Sequence, residues 1–483
     1  MRPSVLDIQQ KALEINLDSS IYGSFGEIGA GQEISRLFFQ AGGASGTIAK
    51  SLSAYDMTMS DAVYGKRPGR YVSKARLLQM LKKEFNDLTT RLAAKNHEKR
   101  YFAICNTVEA INYDRSNKSH GWMGVKFQLS PEEEPNTVII HIRLLDRENI
   151  QQQQILGILG VNLLYGCYHL HHDPKTILEH MNDNLIPGRM QIDMVEMKGP
   201  AFEKVDNRLL SLYLVKNKMA DACLFQPDGT TIHPTEVLYK RDVLALRGRF
   251  RPVTKVHLDM LKNGLRQFEK DDRVKNKDKI TMITELTLKD LGGDEGLTES
   301  DFLDRIDILT ALGQTVLISN FQEYYKLVQY LTRYNTGAQL ALILGANSMI
   351  NVFNEKYYKK LSGGLLESFG QLFHRDVRLY LYPYKFGEEI INSENMIVPD
   401  HLKSLYQHLI DNDKIVDYEN YDKDILHIFS NKVLNKIKDN DKEWEKMVPP
   451  IVARIIKANN LFNWRTKKFK KVVINFDKMS DEN

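Results

Sequence analysis

Cysteine is scarce in this sequence: the 483 residues include only Cys105, Cys167 and Cys223, which are widely separated. They form no Cys-x-x-Cys pair and no cysteine–histidine pattern with the spacing of zinc ligands. A small secreted domain held together by disulfides is therefore excluded, and so is a structural zinc module. Free, scattered cysteines are typical of a reducing compartment, so we expect a cytoplasmic protein.

Long apolar runs and an excess of charge of one sign are missing as well. The most apolar segment, residues 155–166, is about half as long as a membrane span requires. The first residues lead into a charged helix and do not form a secretory signal. The 66 basic and 62 acidic residues leave a net charge of +4. We therefore expect neither a membrane nor a nucleic acid among the partners.

The composition that remains is typical of a globular protein, with 42% hydrophobic and 27% charged residues. A chain of this length is expected to form two or three domains. We place an N-terminal α+β domain, with a glycine-rich helical region, at residues 1–250. A mostly parallel-sheet α/β domain follows at residues 251–399, and a helical extension with a basic tail at residues 400–483. The predicted fold class is therefore α/β.

The α/β domain is predicted from residues 280–384, where short apolar runs alternate with amphipathic segments. Strands are expected at residues 280–288, 315–319, 339–344 and 377–382, and helices at residues 301–312, 321–334 and 365–373. The run at 315–319 is continuously apolar, as in a strand that is buried on both faces of a parallel sheet. This alternation favours crossover units and a mostly parallel sheet.

The N-terminal half has a different pattern, in which strands follow one another across short turns. Strands are expected at residues 101–108, 121–129, 137–145, 191–197 and 222–225, and helices at residues 6–17, 72–94, 150–169 and 207–216. An acidic turn at residues 131–135 separates two of these strands and indicates a hairpin. The helix at 150–169 is apolar enough to be the central core helix of this domain.

Polar residues at the strand ends of the α/β domain form the predicted ligand site. In parallel sheets, ligands bind beyond the carboxyl ends of the strands. Those ends carry Glu285, then Ser319 and Asn320, and then Asn347. If the sheet is parallel, we expect these four residues to come from adjacent strand ends and to converge within one pocket. A helix begins soon after Asn320, so its backbone N–H groups should face the same crevice and suit an anion or a phosphate. The alternative is that Ser319 and Asn320 merely cap that helix.

Residues 311–320 also resemble the second motif of the haloacid dehalogenase superfamily, in which a strand ending in serine or threonine binds a phosphoryl group. The nucleophile of that superfamily is an Asp-x-Asp pair at the end of the preceding strand. Residues 284–288 contain no aspartate. A phosphatase of that class is therefore disfavoured, although a related α/β layout is not.

Glycine is concentrated near the N-terminus, at residues 22–33 and 42–51. The first cluster lacks the third glycine of a dinucleotide-binding loop and the hydrophobic strand that precedes a methyltransferase motif. The second cluster lacks two glycines of a P-loop. We interpret the small residues as structural, allowing helices at residues 32–40 and 47–57 to pack closely. The alternative is an anion site formed by Gly43, Ser45, Gly46 and Lys50.

Two further clusters are candidate sites. His169, His172 and Asp173 would share one face of a continued helix at metal-ligand spacing, but Pro174 favours a helix end there. We therefore predict no metal. The second cluster, at residues 247–252, contains three arginines that either hold a phosphate or carboxylate or form a solvated turn. The basic run at 465–471 is interpreted as a solvated terminus.

Blocks spread over nearly the whole chain resemble a widespread bacterial family of cytoplasmic proteins without an established activity. They lie at residues 22–32, 46–57, 120–124, 205–209, 249–254, 304–320, 363–367 and 444–449. Members of that family are often labelled "TonB-dependent receptor" or "nicotinate-nucleotide adenylyltransferase". A receptor of that kind needs a signal peptide and many membrane strands, and the transferase needs an N-terminal nucleotide motif. The sequence contains neither, so the resemblance implies a compartment and no chemistry.

Two hypotheses about function remain open. The first is binding of a phosphorylated or nucleotide-like small molecule at Glu285, Ser319, Asn320 and Asn347. The alternative is a non-catalytic scaffold or self-assembling protein, since no complete catalytic set is visible and small residues cluster at 23–46. A homo-oligomer is expected in either case. The sequence leaves the catalytic residues and any cofactor unknown, and it does not decide whether the protein is an enzyme.

Overall fold

The computed structural model describes residues 5–66, 69–92, 97–292 and 298–464. The protein is α/β, with two large sheets, helices on their faces and a helical C-terminal part. The basic run at residues 465–471 lies outside the described residues. No helix of the described ranges has the length and apolar character needed to cross a membrane.

The strands, numbered in chain order, are short to medium in length. They are β1 (Ile21–Gly29), β2 (Ile48–Ser53), β3 (Arg100–Glu109), β4 (His120–Phe127), β5 (Asn136–Leu144), β6 (Met190–Lys198), β7 (Ala222–Phe225), β8 (Thr231–Ile232), β9 (Asp242–Arg247), β10 (Ile280–Thr287), β11 (Thr315–Ser319), β12 (Leu340–Gly345), β13 (Arg378–Tyr382), β14 (Tyr384–Phe386), β15 (Glu389–Ile391) and β16 (Ile415–Asp417).

The α-helices are numbered in the same way. They are α1 (Ile8–Leu17), α2 (Glu33–Ala41), α3 (Met57–Tyr64), α4 (Lys74–Leu92), α5 (Asn149–His169), α6 (Pro174–His180), α7 (Asn207–Lys216), α8 (Pro234–Leu238), α9 (Lys255–Lys270), α10 (Leu288–Gly292), α11 (Glu299–Ala311), α12 (Tyr324–Tyr334), α13 (Ala346–Val352), α14 (Gly364–Leu372), α15 (Lys403–Asp411), α16 (Ser430–Lys438), α17 (Trp444–Met447) and α18 (Pro450–Asn459).

The first sheet has the strand order β2-β1-β3-β4-β5-β6. Strands β2, β1 and β3 are parallel, and β3 to β6 are antiparallel neighbours. Helices α1, α2 and α5 pack together on one face, whereas α4 covers the other face across β1, β3 and β4. The chain leaves β1 towards β2 on one side and returns to β3 on the other. Strand order therefore reverses at β1, which makes the carboxyl ends of β1 and β3 a topological switch point.

The glycine-rich N-terminal region forms part of this sheet, which corrects one prediction. Helix α2 confirms the helix expected at 32–40, but the helix expected at 47–57 is wrong, because residues 48–53 form strand β2. The glycines of β1 are required by close packing between neighbouring strands. A Cβ on Gly23 would collide with the ring of Phe102 on β3, 2.3 Å from its nearest atom, and one on Gly26 would crowd Tyr64 of α3 and Cys105 of β3. Small residues thus let bulky neighbours fill the sheet.

The second sheet has the order β16-β13-β12-β9-β10-β11-β7-β8. Its strands from β16 to β11 are all parallel; β7 runs antiparallel to β11, and β8 in turn runs antiparallel to β7. The mostly parallel sheet predicted from residues 280–384 is confirmed. Strands β7, β8 and β9 come from residues before 250, so the second sheet also draws on the N-terminal half of the sequence.

The two sheets meet where β6, the edge strand of the first, contacts β7 and β8 at the edge of the second. The backbone N–H of Ile192 donates to the carbonyl of Met219, and the thiol of Cys223 lies 3.6 Å from the carbonyl of Asp193. One continuous group of buried side chains includes residues of both sheets and of the C-terminal helices. The junction of the sheets is thus a packed part of the interior.

Candidate functional site

A cavity of about 470 Å³ opens at the carboxyl ends of β1 and β3, and we call it the strand-end crevice. Its lining comes from the ends of β1 and β3, the start of β4, the segment between β2 and α3, and the segment before α4. The lining residues are Ile28, Gly29, Tyr55, Asp56, Met57, Arg70, Tyr71, Val72, Val108, Glu109 and His120. The crevice therefore occupies the topological switch point of the first sheet, where parallel α/β sheets bind ligands.

Gly29 shapes this end of the sheet. Its φ is +86°, and a Cβ at this position would collide with the carbonyl oxygen of Val108 on β3. Only glycine fits both the left-handed backbone and the close approach. The chain can thus turn sharply from β1 towards α2 and leave the ends of β1 and β3 accessible.

The side chains around the strand-end crevice have both signs of charge. Asp56 caps α3 by accepting a hydrogen bond from the backbone N–H of Met59 at 2.6 Å. Glu109 accepts one from the amide of Asn117 at 3.0 Å. The guanidinium carbon of Arg70 lies 3.9 Å from the ring centroid of Tyr239, which follows α8. Two carboxylates and one guanidinium therefore surround the opening.

His120 connects the strand-end crevice to a buried chain of polar groups. Its Nδ1 lies 3.0 Å from Nε2 of His141 on β5, and Nδ1 of His141 lies 2.5 Å from Oδ1 of Asp193 on β6. His141 and Asp193 are almost completely buried. We call these three residues the histidine chain. Strands β4, β5 and β6 hold them side by side, since they are neighbouring strands of one sheet.

The charge state of Asp193 fixes the direction of the hydrogen bonds. Burial alone would raise the pKa of Asp193, but the adjacent His141 and His233 hold it well below its usual value. Burial lowers the pKa of His141 to about 3 and that of His120 to about 4. An ionised carboxylate only accepts, so Nδ1 of neutral His141 donates to Asp193 and its Nε2 accepts from Nδ1–H of His120. Nε2 of His120 then has a free lone pair.

His233, a residue of the second sheet, lies beside the carboxylate of Asp193. It directly follows β8, and its Nδ1 accepts a hydrogen bond from the backbone N–H of Thr235 at 3.3 Å. Its Nε2 is therefore protonated and points towards Oδ2 of Asp193, at 3.6 Å. Neither of these two atoms has a hydrogen-bond partner, and both are buried.

Ligand atoms of His141, Asp193 and His233 lie within 4.8 Å of one another, so this set is where the described chain could hold a metal ion.

Two of the four predicted ligand residues come together in the second sheet, and both are fully buried. The hydroxyl of Ser319 donates to Oε1 of Glu285 at 2.6 Å and accepts from the backbone N–H of Phe321 at 3.3 Å. Arg247 donates two hydrogen bonds to the same carboxylate, from Nε to Oε2 at 2.7 Å and from Nη2 to Oε1 at 3.0 Å. Glu285 and Ser319 thus form one closed network with Arg247.

The other two predicted ligand residues lie elsewhere. The backbone N–H of Asn320 donates to the carbonyl of Asp221, towards β7. Asn347 is exposed at the start of α13, after β12. The expectation that all four come from adjacent strand ends is wrong, because β9 and β10 lie between β12 and β11. Whether the four residues bind a ligand stays a prediction.

The histidine and glycine-rich clusters of the sequence have local roles. His169 stacks on Tyr165 with centroids 4.4 Å apart, and Asp173 caps α6. Lys50 forms an ion pair of 2.6 Å with buried Glu84.

Each arginine of the basic cluster has a nearby carboxylate. Arg247 pairs with Glu285, Arg249 with Asp290 at 3.5 Å, and Arg251 with Asp301 at 2.5 Å.

Sequence reasoning missed the histidine chain because its members lie on separate strands. Asp193 is 52 residues from His141 and His120 is 21 residues from it. The available signal was a titratable residue directly between two apolar ones, His141 between Ile140 and Ile142 in β5 and Asp193 between Ile192 and Met194 in β6. A titratable side chain at such a position is buried by the sheet and needs a partner there.

Comparison with known proteins gives slight structural likenesses. No family model matches the chain, and no curated protein matches it. The competence/damage inducible protein CihA from Agrobacterium tumefaciens is 16% identical with a TM-score of 0.26, over 34% of this chain and 97% of that one.

A Plasmodium falciparum nicotinic acid mononucleotide adenylyltransferase, complexed with APC, is 12% identical with a TM-score of 0.31; the match covers 47% of this chain and 100% of that one. A competence-damaged protein (CinA) superfamily protein from Escherichia coli is 10% identical with a TM-score of 0.25; the match covers 34% of this chain and 93% of that one. Likenesses this slight assign neither a family nor an activity.

Proposed function

We propose that the protein binds a small, nucleotide-like molecule in the strand-end crevice of the first sheet. The observation that carries this proposal is a cavity of about 470 Å³ at a topological switch point, lined by polar side chains of both signs. Its volume is in the range of small-molecule sites. The residue types suit a ligand with several kinds of polar group: carboxylates accept from hydroxyl or amine groups, and a guanidinium binds a phosphate.

Each border of the strand-end crevice suits a different part of such a molecule. Tyr55 is 77% exposed, so its ring is available to stack on a flat heterocycle. Asp56 and Glu109 are placed to accept hydrogen bonds from sugar hydroxyls. Arg70 supplies a positive charge at the rim, beside Tyr239. A phosphorylated or nucleotide-like ligand, which the sequence predicted for the second sheet, therefore has a better-prepared site in the first.

The site predicted at Glu285, Ser319, Asn320 and Asn347 is the competing location. Both oxygens of Glu285 already have partners in Arg247 and Ser319, so a ligand there would have to displace an existing bond. No such displacement is needed in the strand-end crevice. This difference is why we favour the first sheet.

A binding screen with matched variants tests the location. Thermal shifts are measured with nucleosides, nucleotides and sugar phosphates, and a ligand at one hundred times its Kd should add about 2.7 kcal/mol of stability. Tyr55→Ala and Glu109→Gln should each weaken binding at least tenfold by calorimetry. Tyr113→Ala removes a fully exposed tyrosine outside the crevice and should leave binding unchanged. Loss of binding in Asn347→Ala, with Tyr55→Ala unaffected, would move the site to the second sheet.

The scaffold hypothesis and the expected homo-oligomer also stay proposals, as do a cytoplasmic location and membership of the bacterial family. The glycines that motivated the scaffold hypothesis are explained in part by packing inside the sheet, as at Gly23 and Gly26. Mass photometry of the purified protein tests self-assembly directly. Large assemblies together with no ligand in the screen would favour the scaffold.

A further inference from the structure

We propose that His120 accepts a proton, through Nε2, from the molecule bound in the strand-end crevice, with His141 and Asp193 as positioning residues. This inference rests on the proposed function for the location of the ligand, and it adds a chemical role to one wall of that site. It makes the protein an enzyme whose reaction includes proton transfer from a hydroxyl group, an amine or a bound water.

Geometry selects His120 from the histidines of the described chain. It is the one that lines the strand-end crevice, and its Nδ1 is already engaged by Nε2 of His141 at 3.0 Å. Nε2 is therefore the nitrogen left for a bound molecule. A candidate base must lie within hydrogen-bond reach of the proton that it removes, and a residue in the wall of the site meets this condition.

Asp193 and His141 determine which nitrogen of His120 is free. The carboxylate of Asp193 accepts from Nδ1–H of His141 at 2.5 Å, so Nε2 of His141 has a lone pair and needs a donor. Nδ1–H of His120 is that donor. If the ring of His120 were in the opposite tautomer, two lone pairs would face each other across 3.0 Å inside the protein. Such a hydrogen-bonded carboxylate and imidazole orient a catalytic histidine in the same way that a third group orients the base of a nucleophile.

The proton transfer is balanced within the site. The lone pair on Nε2 forms a new N–H bond, the O–H or N–H bond of the ligand breaks, and its electron pair stays on the ligand atom. The Nδ1–H of the imidazolium still donates its hydrogen bond to Nε2 of His141. The Nδ1–H of His141 still donates to the carboxylate of Asp193. Burial, His233 and Arg70 oppose the positive charge formed on His120 and lower its pKa to about 4, whereas the carboxylates of Glu109 and Asp193 favour that charge. The proton returns to the product or to water in a later step.

A metal ion held by His141, Asp193 and His233 is the alternative use of the same residues. Both ring nitrogens of His141 already have hydrogen-bond partners, so a metal would have to break one of those bonds. The rings of His141 and His233 also pack against each other with centroids 3.7 Å apart. The intact hydrogen bonds favour the positioning role.

The first test needs no ligand. Diethyl pyrocarbonate acylates neutral imidazole nitrogens that have an accessible lone pair, and mass spectrometry then locates the modified residues. We expect His120 to be modified together with the exposed His97 and His401, while buried His141 and His233 stay unmodified. An unmodified His120 beside fully modified His97 and His401 would overturn the proposal.

Nitrogen-15 NMR of the histidine rings supplies a readout that a purely structural role would not move. His120 and His141 should be in the Nδ1–H tautomer and His233 in the Nε2–H tautomer. Asp193→Asn should increase the Nε2–H fraction of His120, and if that variant does not fold, the wild-type spectrum alone still decides. A wild-type His120 in the Nε2–H tautomer contradicts the proposal. So does one equivalent of bound metal that is lost in His233→Ala.

These outcomes separate the two proposals. If diethyl pyrocarbonate does not modify His120 but Tyr55→Ala still abolishes ligand binding, the proposed binding site is supported and the proposal that His120 accepts a proton is wrong. If His120 has the expected tautomer and reactivity but the ligand binds at Asn347, the proton-acceptor proposal fails together with the location. Once a ligand is known, His120→Gln should keep its affinity within about tenfold and lose turnover, since glutamine cannot take up a proton.

Discussion

The two sheets present a buried glutamate near the carboxyl ends of their parallel strands, but they treat it in opposite ways. In the second sheet, Glu285 on β10 has both oxygens bonded by Arg247 and Ser319. In the first sheet, Glu27 on β1 is 2% exposed and lies 3.5 Å from the hydroxyl of Ser35. No basic side chain of the described chain lies within ion-pair distance of Glu27.

The difference shows that topology and side chains contribute separately to a site. Parallel strands whose order reverses leave room beyond their carboxyl ends in any such sheet. In the second sheet, the buried Arg247 donates two hydrogen bonds to Glu285 and neutralises its charge. In the first sheet, Glu27 has no basic partner in the described chain, and the two residues that follow it, Ile28 and Gly29, line the strand-end crevice. The same rule of sheet topology therefore yields a stable closed edge in one half and a candidate site in the other.

Removal of Arg247 should have the largest effect, because it would leave the second sheet with the unpaired carboxylate that the first sheet has. Arg247→Ala removes the partner of a fully buried carboxylate, so we expect a loss of roughly 3–5 kcal/mol in the free energy of unfolding. Urea unfolding monitored by circular dichroism measures it. Arg249→Ala is the matched control, since that side chain is 71% exposed, and it should change stability by less than about 0.5 kcal/mol. Equal effects of the two variants would mean that the ion pair does not hold this edge.

Glu27→Gln should change how stability depends on pH. Burial, partly offset by the hydrogen bond from Ser35, raises the pKa of Glu27 from 4.5 to about 7. The unfolded chain releases this proton near pH 4.5, whereas the folded protein keeps it until about pH 7. The free energy of unfolding therefore falls as the pH rises through this interval, by up to about 3 kcal/mol.

The variant with glutamine should lack this fall, so it should gain stability relative to the wild type between about pH 5 and pH 8. Urea titrations of both proteins at each pH give the difference, in which the other titrating groups cancel. A difference that is independent of pH would show that Glu27 is ionised in the folded protein and that the contrast with Glu285 is wrong.

Ser319→Ala should have the smallest of the three effects. It removes a hydrogen bond of 2.6 Å to a charged oxygen that keeps its two bonds from Arg247. We expect a loss of about 2 kcal/mol, since hydrogen bonds to charged groups contribute roughly 1.5–3 kcal/mol. Asn347→Ala, at an exposed position of the same predicted site, should cost less than about 0.5 kcal/mol. Similar losses in both variants would indicate that the four predicted residues act as one unit after all.

Much of the second sheet could be predicted because its strands follow local patterns. Strand β11 is a continuous apolar run, and its predicted bounds, residues 315–319, agree with the structure. Strand β1 could not be found in this way, because Gly23, Gly26 and Gly29 reduce its apolar content. Its stability comes from neighbours on both sides, such as Phe102, which fills the space over Gly23. Tertiary packing has thus overridden a weak local preference for strand.

The candidate site was less predictable than the fold for a related reason. The tendency of ligands to bind beyond parallel strands pointed to the second sheet, because its strands are visible in the sequence. The strand-end crevice needs β1, β2 and β3 in parallel, and the local patterns of β1 and β2 do not indicate strands. His120, His141, Asp193 and His233 likewise come together only through the order of β4, β5 and β6 and the contact with β8. Convergence of distant residues depends on strand order, which local periodicity does not encode.

Asp193 lies at the junction of the two sheets, next to Cys223 and His233 of the second sheet. His233, which reaches Asp193 from the second sheet, lies 3.6 Å from it without a hydrogen bond, so a small shift of β8 would alter that spacing. If a molecule bound the second sheet and moved β8, and if the site proposed in the first sheet depends on that spacing, the affinity of the proposed site would change. Linkage requires the reverse effect to have the same magnitude. Each half of the chain would therefore report on the occupancy of the other.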